Sequence, residues 1–300
     1  MKSLIKIIRF IWTHPLSSRN RALALKRLFS WQIAQTLVRR PVLYPFVEDS
    51  VLLIEKGMVG ATGNIYSGLT EFDDMMFVLH VLREGDSFAD VGANVGVFTV
   101  LASANAGARS LTVEPTPLTI RRLRRNIELN EITARVTLLP FVAGSGTGPG
   151  SVSFTQNMDS INHVVRADEQ FERKDMIEVA VKTLDEMFSH DMPALVKIDV
   201  EGFEWDALTG AEKLLGSDGM KALIIELNGC GAVYGHTDGQ IHELLQSYGF
   251  SPYSYEPFSR SLKPLPSHGK YNNTIYVKDL DWITNRVRTA RKFRVFGQDV

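Results

Sequence analysis

The stretch Ser87-Phe-Ala-Asp-Val-Gly-Ala-Asn-Val-Gly96 joins a short apolar segment to a helix through a turn that contains two glycines. The spacing of the apolar residues predicts a strand over residues 87–91 and a helix over residues 95–106. Gly92 permits a tight turn, and Gly96 lets a ligand or a neighbouring helix approach the backbone, because glycine has no Cβ. Ligands of open α/β sheets bind at the carboxyl ends of the strands. The turn therefore predicts a binding site as well as a fold.

Strands and helices alternate on both sides of this turn. Strands separated by helices predict a mostly parallel sheet that is covered by helices on both faces. Two closing strands, near residues 250–255 and 274–277, flank a proline-rich loop and predict an antiparallel edge, so we expect an α/β fold with a seven-stranded sheet. The other expected elements are a small β unit over 42–56, strands over 110–114, 135–143, 194–199 and 222–227, helices over 71–83, 118–130, 204–215 and 242–248, and strands near 151–155 and 177–181 in an insertion.

The composition is that of a folded protein with a sizeable core. The chain has 300 residues, of which 44% are hydrophobic and 22% are charged, and these values exclude disorder over most of its length. Cys230 is the only cysteine, which excludes an internal disulfide and a cysteine-based zinc site. A lone cysteine indicates a reducing compartment, and we expect the cytoplasm.

The positive charge is concentrated at the N-terminus. Residues 1–47 contain nine of the 33 lysines and arginines and none of the 34 acids. On a helical wheel of residues 2–12 the basic side chains lie on one side and the apolar ones on the other, which is typical of a short helix bound to anionic lipid. The alternative is a leader whose apolar side packs on the body. Lys6 and Arg9 interrupt the apolar run, so no signal peptide is expected.

Nucleic acid is not expected as a partner. Outside the basic leader the chain is net acidic, and aromatic residues do not alternate with the basic ones as they do in a base-stacking platform. No segment reaches the roughly 20 apolar residues of a membrane-spanning helix. The localisation expected from the sequence is cytoplasmic, with contact to the inner face of the membrane through residues 2–12 as a hypothesis.

Two acids at neighbouring strand ends indicate the class of ligand. Asp90 ends the first regular strand and Glu114 ends the next, where a carboxylate is placed to accept both ribose hydroxyls of a nucleoside. A nicotinamide fingerprint would need glycine at position 94, and this chain has Asn94. The pattern favours S-adenosylmethionine, a nucleoside ligand without phosphate. A nicotinamide-dependent sugar dehydrogenase or epimerase and a non-catalytic binding module remain the alternatives.

Three motifs carry a resemblance to a known family. Asp90-Val-Gly-Ala-Asn-Val-Gly96, Val113-Glu-Pro115 and Lys197-Ile-Asp-Val-Glu-Gly-Phe-Glu204 together resemble the FkbM family of S-adenosylmethionine-dependent methyltransferases. The similarity runs from about Gly57 to Tyr276. It implies a class I methyltransferase (Rossmann-like) fold and methyl transfer to a hydroxyl, usually on a saccharide, a glycolipid or a secondary metabolite.

The chain divides into three parts, of which the basic leader and the insertion lie outside the family's pattern, and the resemblance implies a role for one residue in the cleft. We expect a basic amphipathic helical extension over residues 1–41, a methyltransferase domain over 42–280 with an insertion at 144–180, and a basic helical tail over 281–300. Ala143 is expected near the adenine. The predicted cofactor-binding residues are Asp90, Gly92, Asn94, Gly96, Glu114, Ala143 and Asp199.

The predicted catalytic residues are carboxylates near the fourth and fifth regular strands. An alcohol is a poor nucleophile near neutral pH, so a general base is expected within hydrogen-bond reach of it. Asp199 is predicted to position the cofactor and the methyl site, with Glu201 or Glu226 as the base. Carboxylates that lie close together raise one another's pKa towards a useful range.

Other assignments from the sequence stay open. No metal is assigned, although Asp199, Glu226 and Asn228 are an alternative set of oxygen ligands for magnesium. His163 is a second candidate base, with a surface residue as the alternative. The acceptor is expected to contact the insertion and the proline-rich loop 252–272, because their aromatic and amide side chains suit a carbohydrate surface. These side chains are Phe154, Asn157, Asp159 and Asn162 in the insertion, and Tyr253, Tyr255, Phe258, Arg260 and Asn272 in the loop.

Overall fold

The computed structural model describes residues 2–37, 40–55, 57–158, 162–166, 168–269 and 272–300. Asp159 and the side chain of Asn272 lie outside the described part of the chain. The helices are α1 (Lys2–Thr13), α2 (Pro15–Ser18), α3 (Arg21–Leu37), α4 (Val59–Ser67), α5 (Phe72–Val81), α6 (Val97–Val100), which continues as a π-helical turn to Asn105, α7 (Pro117–Leu129), α8 (Leu184–Met187), α9 (Glu204–Thr209), α10 (Glu212–Gly216), α11 (Asp238–Ser247) and α12 (Leu280–Thr289).

The strands form one large sheet and three small ones. They are β1 (Val42–Pro45), β2 (Val51–Ile54), β3 (Ser87–Val91), β4 (Arg109–Val113), β5 (Val136–Leu139), β6 (Val142–Ala143), β7 (Ser151–Thr155), β8 (Met176–Lys182), β9 (Leu195–Ile198), β10 (Ala222–Leu227), β11 (Ser251–Glu256), β12 (Ser261–Pro264), β13 (Asn272–Val277), β14 (Arg294–Val295) and β15 (Gln298–Asp299).

The large sheet has the order β12-β11-β13-β10-β9-β3-β4-β5. Strands β5, β4, β3, β9 and β10 are parallel to one another. Beyond them each neighbouring pair is antiparallel, namely β10 with β13, β13 with β11 and β11 with β12. The chain moves from β3 outward to β5 and then returns to β9, so the order reverses between β3 and β9. The predicted class I α/β fold with an antiparallel edge is confirmed. The sheet has an eighth strand because Ser261–Pro264 pairs with β11 inside the proline-rich loop.

The predicted strand over 135–143 is divided into two. Residues Val136–Leu139 join the large sheet, whereas Val142–Ala143 pairs with β8 in the sheet β6-β8-β7. Pro140 lies between the two parts, and proline has no N–H with which to continue a ladder. The strands predicted in the insertion are present as β7 and β8.

The N-terminal helices pack on the domain with one face. Ile11, Leu16, Leu28 and Trp31 are buried in the hydrophobic core that also covers one face of the large sheet. The ring of His14 makes a 2.7 Å hydrogen bond through Nε2 to the carbonyl of Leu69. The apolar inner side of the leader therefore packs on the body. None of the helices in the described part of the chain is long and apolar enough to cross a membrane.

The C-terminal tail is helical only as far as Thr289. The chain then forms the hairpin β14–β15, whose two turn residues, Phe296 and Gly297, both have positive φ. Such a turn matches the twist of the flanking strands. Val295 is fully buried and bridges to Val47 of the β1–β2 connection, so the end of the tail packs on the domain.

One buried amide joins three segments around the glycine turn. The Asn126 side chain, on α7, donates from Nδ2 to the carbonyl of Val95 at 2.8 Å. Its Oδ1 accepts a hydrogen bond from the backbone N–H of Leu53 on β2 at 2.7 Å. The side chain is fully buried, so water cannot replace either partner.

We expect Asn126→Ala to destabilise the protein by about 2–4 kcal/mol, because a buried backbone group left without a partner costs about 1–3 kcal/mol. Urea unfolding followed by circular dichroism measures this loss. The exposed Arg124→Ala on the same helix is the control and should change stability by less than about 0.5 kcal/mol. A loss in Asn126→Ala as small as that of the control would contradict this account of the turn.

Candidate active site

The loops that follow β3 and β9 are in direct contact. Gly92 has φ of 81°, and a Cβ at this position would lie 1.8 Å from the carbonyl oxygen of Asp199. Any side chain there would force the two loops apart. Asn94 also has a positive φ of 50°, which asparagine tolerates better than most residues. The glycine turn therefore packs directly against the loop after β9. Strand order reverses at this point, where ligands of open α/β sheets bind.

Glu114 fixes the other side of the turn. One carboxylate oxygen accepts a hydrogen bond from the N–H of Asn94 at 3.1 Å, and the other accepts one from the N–H of Thr116 at 2.9 Å. Burial raises the pKa of Glu114 to about 7, although these hydrogen bonds oppose the shift. Each oxygen keeps a further lone pair, because a carboxylate has about four acceptor positions. Glu114 lines the adjoining cleft, where those positions can receive hydroxyl groups.

We call this cleft the cofactor cleft. Its polar lining includes Glu114 and Asp199, and its walls are mainly apolar. Such walls suit a flat heterocycle, and the carboxylate of Glu114 suits a ribose, so the residues present fit an adenosine group. The apolar lining residues are Val91, Val113, Pro115, Phe141, Val142, Ala143, Phe154, Val164, Val200 and Phe203.

A buried lysine lies at the centre of the carboxylates beyond this cleft. The strand register places Lys197 beside Asp90, and its Nζ contacts Oδ2 of Asp199 at 2.7 Å. Burial lowers the pKa of Lys197, but the carboxylates of Asp199, Glu71 and Asp90 outweigh that effect, so the pKa is raised and the ammonium stays charged. Asp90 accepts a hydrogen bond from the hydroxyl of Thr99 at 2.6 Å. This cation allows several carboxylates to share a small space.

We call the space around Lys197 the inner cavity, since it continues from the cofactor cleft. Asp199 and Glu201 border both spaces. The Glu204 carboxylate shapes the loop between them by accepting hydrogen bonds from the N–H groups of Val200 and Gly202 at 3.2 and 3.1 Å. The ionisable residues that line the inner cavity are Glu71, Asp90, Lys197, Asp199, Glu201 and Glu226.

Both predicted bases have raised pKa values. Burial, with the nearby charges of Asp199 and Glu201, raises the pKa of Glu226 to about 8. Burial, with the charges of Asp199 and Glu204, raises the pKa of Glu201 to about 7. Groups that titrate near neutral pH are suited to general acid–base catalysis. The amide of Asn228 also donates a 3.0 Å hydrogen bond to Glu226.

A third space, which we call the acceptor cavity, begins at Glu226. It has a volume of about 510 Å³, which is within the usual range for ligand pockets. Asn273, opposite Glu226 in the strand register, donates hydrogen bonds to the carboxylates of Glu71 at 2.5 Å and Asp74 at 3.0 Å. Burial and the charge of Glu71 raise the pKa of Asp74 to about 7. The other side chains in its lining include Phe10, His14, Phe72, Asp73, Tyr253 and Tyr255.

Six of the seven predicted cofactor-binding residues line the first two spaces, namely Asp90, Gly92, Asn94, Glu114, Ala143 and Asp199. Gly96 lines neither space. A Cβ at this position would lie 2.2 Å from Cδ1 of Leu123, so this glycine allows the close packing of α7 instead. The insertion contributes Phe154 and Asn162 to the cofactor cleft rather than to the acceptor cavity, whereas the loop 252–272 contributes Tyr253 and Tyr255 to the acceptor cavity. Sequence reasoning missed Glu71, Asp73 and Asp74, because acids at the start of a predicted helix are read as helix-terminal residues. It also missed Phe10 and His14, which come from the leader.

Two further expectations concern a base and a metal. The Nε2 atom of His163 lies 3.1 Å from a carboxylate oxygen of Glu169. In the alternative magnesium set, Asp199 is paired with Lys197, and the side-chain Oδ1 of Asn228 accepts a hydrogen bond from the N–H of Cys230. Among the residues that the structure describes, no group of three or more His, Cys, Asp or Glu side chains could hold a metal ion.

Comparisons with known proteins agree with the motifs. The family of the methyltransferase FkbM domain matches residues 90–252. Hexuronic acid methyltransferase AglP of Haloferax volcanii is 29% identical over 160 residues, which cover 53% of this chain and 62% of that protein. Ribosomal protein L11 methyltransferase of Syntrophomonas wolfei is 29% identical over 111 residues, covering 36% and 35% of the two chains. The chain thus matches less than two thirds of the length of either relative.

One solved structure is similar over much of the chain. The crystal structure of an FkbM methyltransferase from Methylobacillus flagellatus is 16% identical, with a TM-score of 0.44, and the match covers 85% of this chain and 60% of that one.

The raised carboxyl pKa values predict a pH dependence of stability. Glu226 and Glu201 bind protons more tightly in the folded than in the unfolded protein, because their pKa values rise from 4.5 to about 8 and about 7. The free energy of unfolding should therefore fall as pH rises from 6.5 to 8. Buried His14 and His80 have pKa values lowered to about 4 and about 3, so they affect stability only below pH 6.5.

We expect a loss of about 1 kcal/mol between pH 6.5 and 8 from Glu226 alone. Urea unfolding at several pH values measures it, and Glu226→Gln should make the slope less steep, while Glu201 and Glu114, whose pKa values are raised to about 7, keep part of it. The exposed Glu212→Gln is the control and should leave the slope unchanged. A wild-type stability that rises over this range would contradict the pKa assignments.

Proposed function

This chain belongs to the FkbM methyltransferase family, and we propose that it transfers a methyl group from S-adenosylmethionine to a hydroxyl group of a saccharide. The observation that carries the proposal is the position of Glu226. It borders the inner cavity on one side and the acceptor cavity on the other. Membership of a methyltransferase family argues against the nicotinamide-dependent alternative.

The cofactor would be held by the residues of the cofactor cleft and the inner cavity. When bound, S-adenosylmethionine supplies an electrophilic methyl group on a positively charged sulfur. Glu114 would accept hydrogen bonds from the ribose hydroxyls, and Ala143 with its apolar neighbours would contact the adenine. Asp90 and Asp199 are carboxylates that face the inner cavity and suit the amino group and the sulfonium.

Glu226 is our choice for the general base. Its pKa of about 8 lets it accept the proton that an acceptor hydroxyl loses when the new carbon–oxygen bond forms. Glu201 borders the cofactor cleft and the inner cavity, which suits cofactor positioning better. Asn228 holds one oxygen of Glu226 by a hydrogen bond, and the other oxygen is the one we assign to the acceptor.

The acceptor cavity favours an uncharged saccharide. Its described lining contains Glu71, Asp73, Asp74 and Glu226 but no lysine or arginine. Burial lowers the pKa of His14 to about 4, so this ring is neutral near pH 7. Tyrosine and phenylalanine side chains provide faces for sugar rings. The name of the AglP relative specifies a hexuronic acid, but the described lining of this cavity offers no cation to pair with an acceptor carboxylate.

Two measurements test the proposal. Calorimetric titration with S-adenosylhomocysteine, with NAD as the control, tests the cofactor: micromolar binding of the first alone is the expected result. Transfer of a labelled methyl group to neutral oligosaccharides and to matched uronic acid oligosaccharides then tests the acceptor. We expect product with the neutral set. Binding of NAD alone would overturn the assignment of the cofactor, and transfer confined to uronic acids would overturn that of the acceptor.

We expect Glu226→Gln to lower kcat by about 100-fold or more, the usual contribution of a general base, and to leave the Kd of S-adenosylhomocysteine within about threefold. In the wild type, kcat should rise as pH rises through about 8, because Glu226 loses its proton there.

Glu114→Ala should instead weaken S-adenosylhomocysteine binding by about tenfold or more, since it removes the ribose acceptor. Glu212→Gln serves as the control. A larger loss of kcat in Glu201→Gln than in Glu226→Gln would reassign the base.

A further inference from the structure

Helix α3 carries apolar residues on two opposite faces. The inner face, which includes Ala24, Leu28 and Trp31, is buried against the domain. The outer face carries Phe29, Ile33 and Leu37, whose exposed fractions are 51%, 60% and 77%. The spacing of four places these three side chains along one stripe. A helix that is apolar on both faces is normally covered on both faces.

Exposed apolar side chains are concentrated in this part of the molecule. Of the 13 large hydrophobic residues that are exposed in the described chain, six lie in α1 and α3. Apolar residues scattered singly over a surface are ordinary, whereas a cluster marks an interaction site. In addition to the stripe on α3, the six include Ile5, Trp12 and Leu23.

The same two helices carry positive charge that forms no ion pair within the described part of the chain. Six of the nine basic residues within 1–47 lie in α1 and α3, and this segment contains no acid. No salt bridge among the described side chains involves a residue of α1 or α3. Arg21 and Arg27 lie over the rings of Trp12 and Phe296 instead, and Lys26 is exposed one turn before Phe29. The surface therefore combines an apolar stripe with unpaired cationic charge.

We propose that α1 and α3 form a docking surface for a lipid bilayer that contains anionic phospholipid. Phe29, Ile33 and Leu37 would enter the boundary between headgroups and acyl chains, and Lys26 with the other cations would contact the headgroup phosphates. The charge argues against a second copy of this chain as the occupant. A twofold interface would place the same positive surface against itself.

This surface lies on the structural unit that borders the acceptor cavity. Phe10 and His14, from α1 and the turn after it, line that cavity, whereas Ile5 and Trp12 of the same helix face solvent. Bilayer contact through the solvent-facing side of α1 would place only that helix, roughly 10 Å wide, between the membrane and the acceptor cavity. Where the proposed methyl transfer holds, this geometry favours a saccharide attached to a lipid.

Co-sedimentation of the full chain with large vesicles tests the proposal. The two vesicle preparations are phosphatidylcholine alone and phosphatidylcholine mixed with phosphatidylglycerol. We expect partition at least about tenfold stronger on the anionic vesicles, and weaker in high salt, because salt screens the charges. The triple variant Phe29→Ser, Ile33→Ser, Leu37→Ser should lose at least about tenfold of this partition. Circular dichroism should show the same fold, since the three positions are exposed.

A matched variant separates this surface from general apolar exposure. Leu129, Met192 and Leu280 are exposed to between 40% and 44% and lie outside α1 and α3. Replacing these three by serine should leave vesicle binding unchanged. Equal binding of the wild type and the triple α3 variant would overturn the proposal, as would equal binding to both kinds of vesicle. If light scattering shows a dimer, and the α3 variant abolishes it whereas the matched variant does not, the stripe serves self-association instead.

Discussion

The close approach of two loops governs the rest of the site. Gly92 leaves no room for a side chain, because the carbonyl oxygen of Asp199 would lie 1.8 Å from a Cβ at that position. The loops after β3 and β9 therefore form one continuous wall across the point where strand order reverses. Glu114 fastens this wall to the next strand through the N–H of Asn94. The relative positions of Asp90, Glu114 and Asp199 follow from that contact.

A second constraint is electrostatic. Lys197 is 3% exposed and lies among the carboxylates of Asp199, Glu71 and Asp90. A buried charge is costly unless it is paired, and here one cation offsets several acids. Burial, together with the remaining excess of negative charge, raises the pKa of Glu201 to about 7 and that of Glu226 to about 8. The same crowding that disfavours ionisation of these acids suits them to accept and release a proton during catalysis.

Much of the fold and the cofactor cleft could be predicted from local sequence. The turn 87–96 and the acids at the ends of β3 and β4 obey rules that operate within a few residues, and the family they indicated is confirmed. The acceptor cavity could not be predicted in the same way. Glu71 and Asp74 reach it because Asn273, about 200 residues later in the chain, binds both. The eighth strand, β12, likewise depends on its pairing with β11. The predicted strand over 135–143 is divided after Leu139 because its first half pairs with β4 and its second half with β8.

The sequence by itself determined the order of elements, the glycine turn and the basic, acid-free leader, because apolar periodicity, glycine conformation and charge are local properties. Tertiary structure decided which acids face each other and which apolar residues stay exposed. Glu226 became the link between two cavities only through its place in the sheet beside Asn273. The apolar residues of α3 were divided into a buried face and an exposed stripe only when the helix packed on the domain, since one sequence of apolar residues permits either face to be buried.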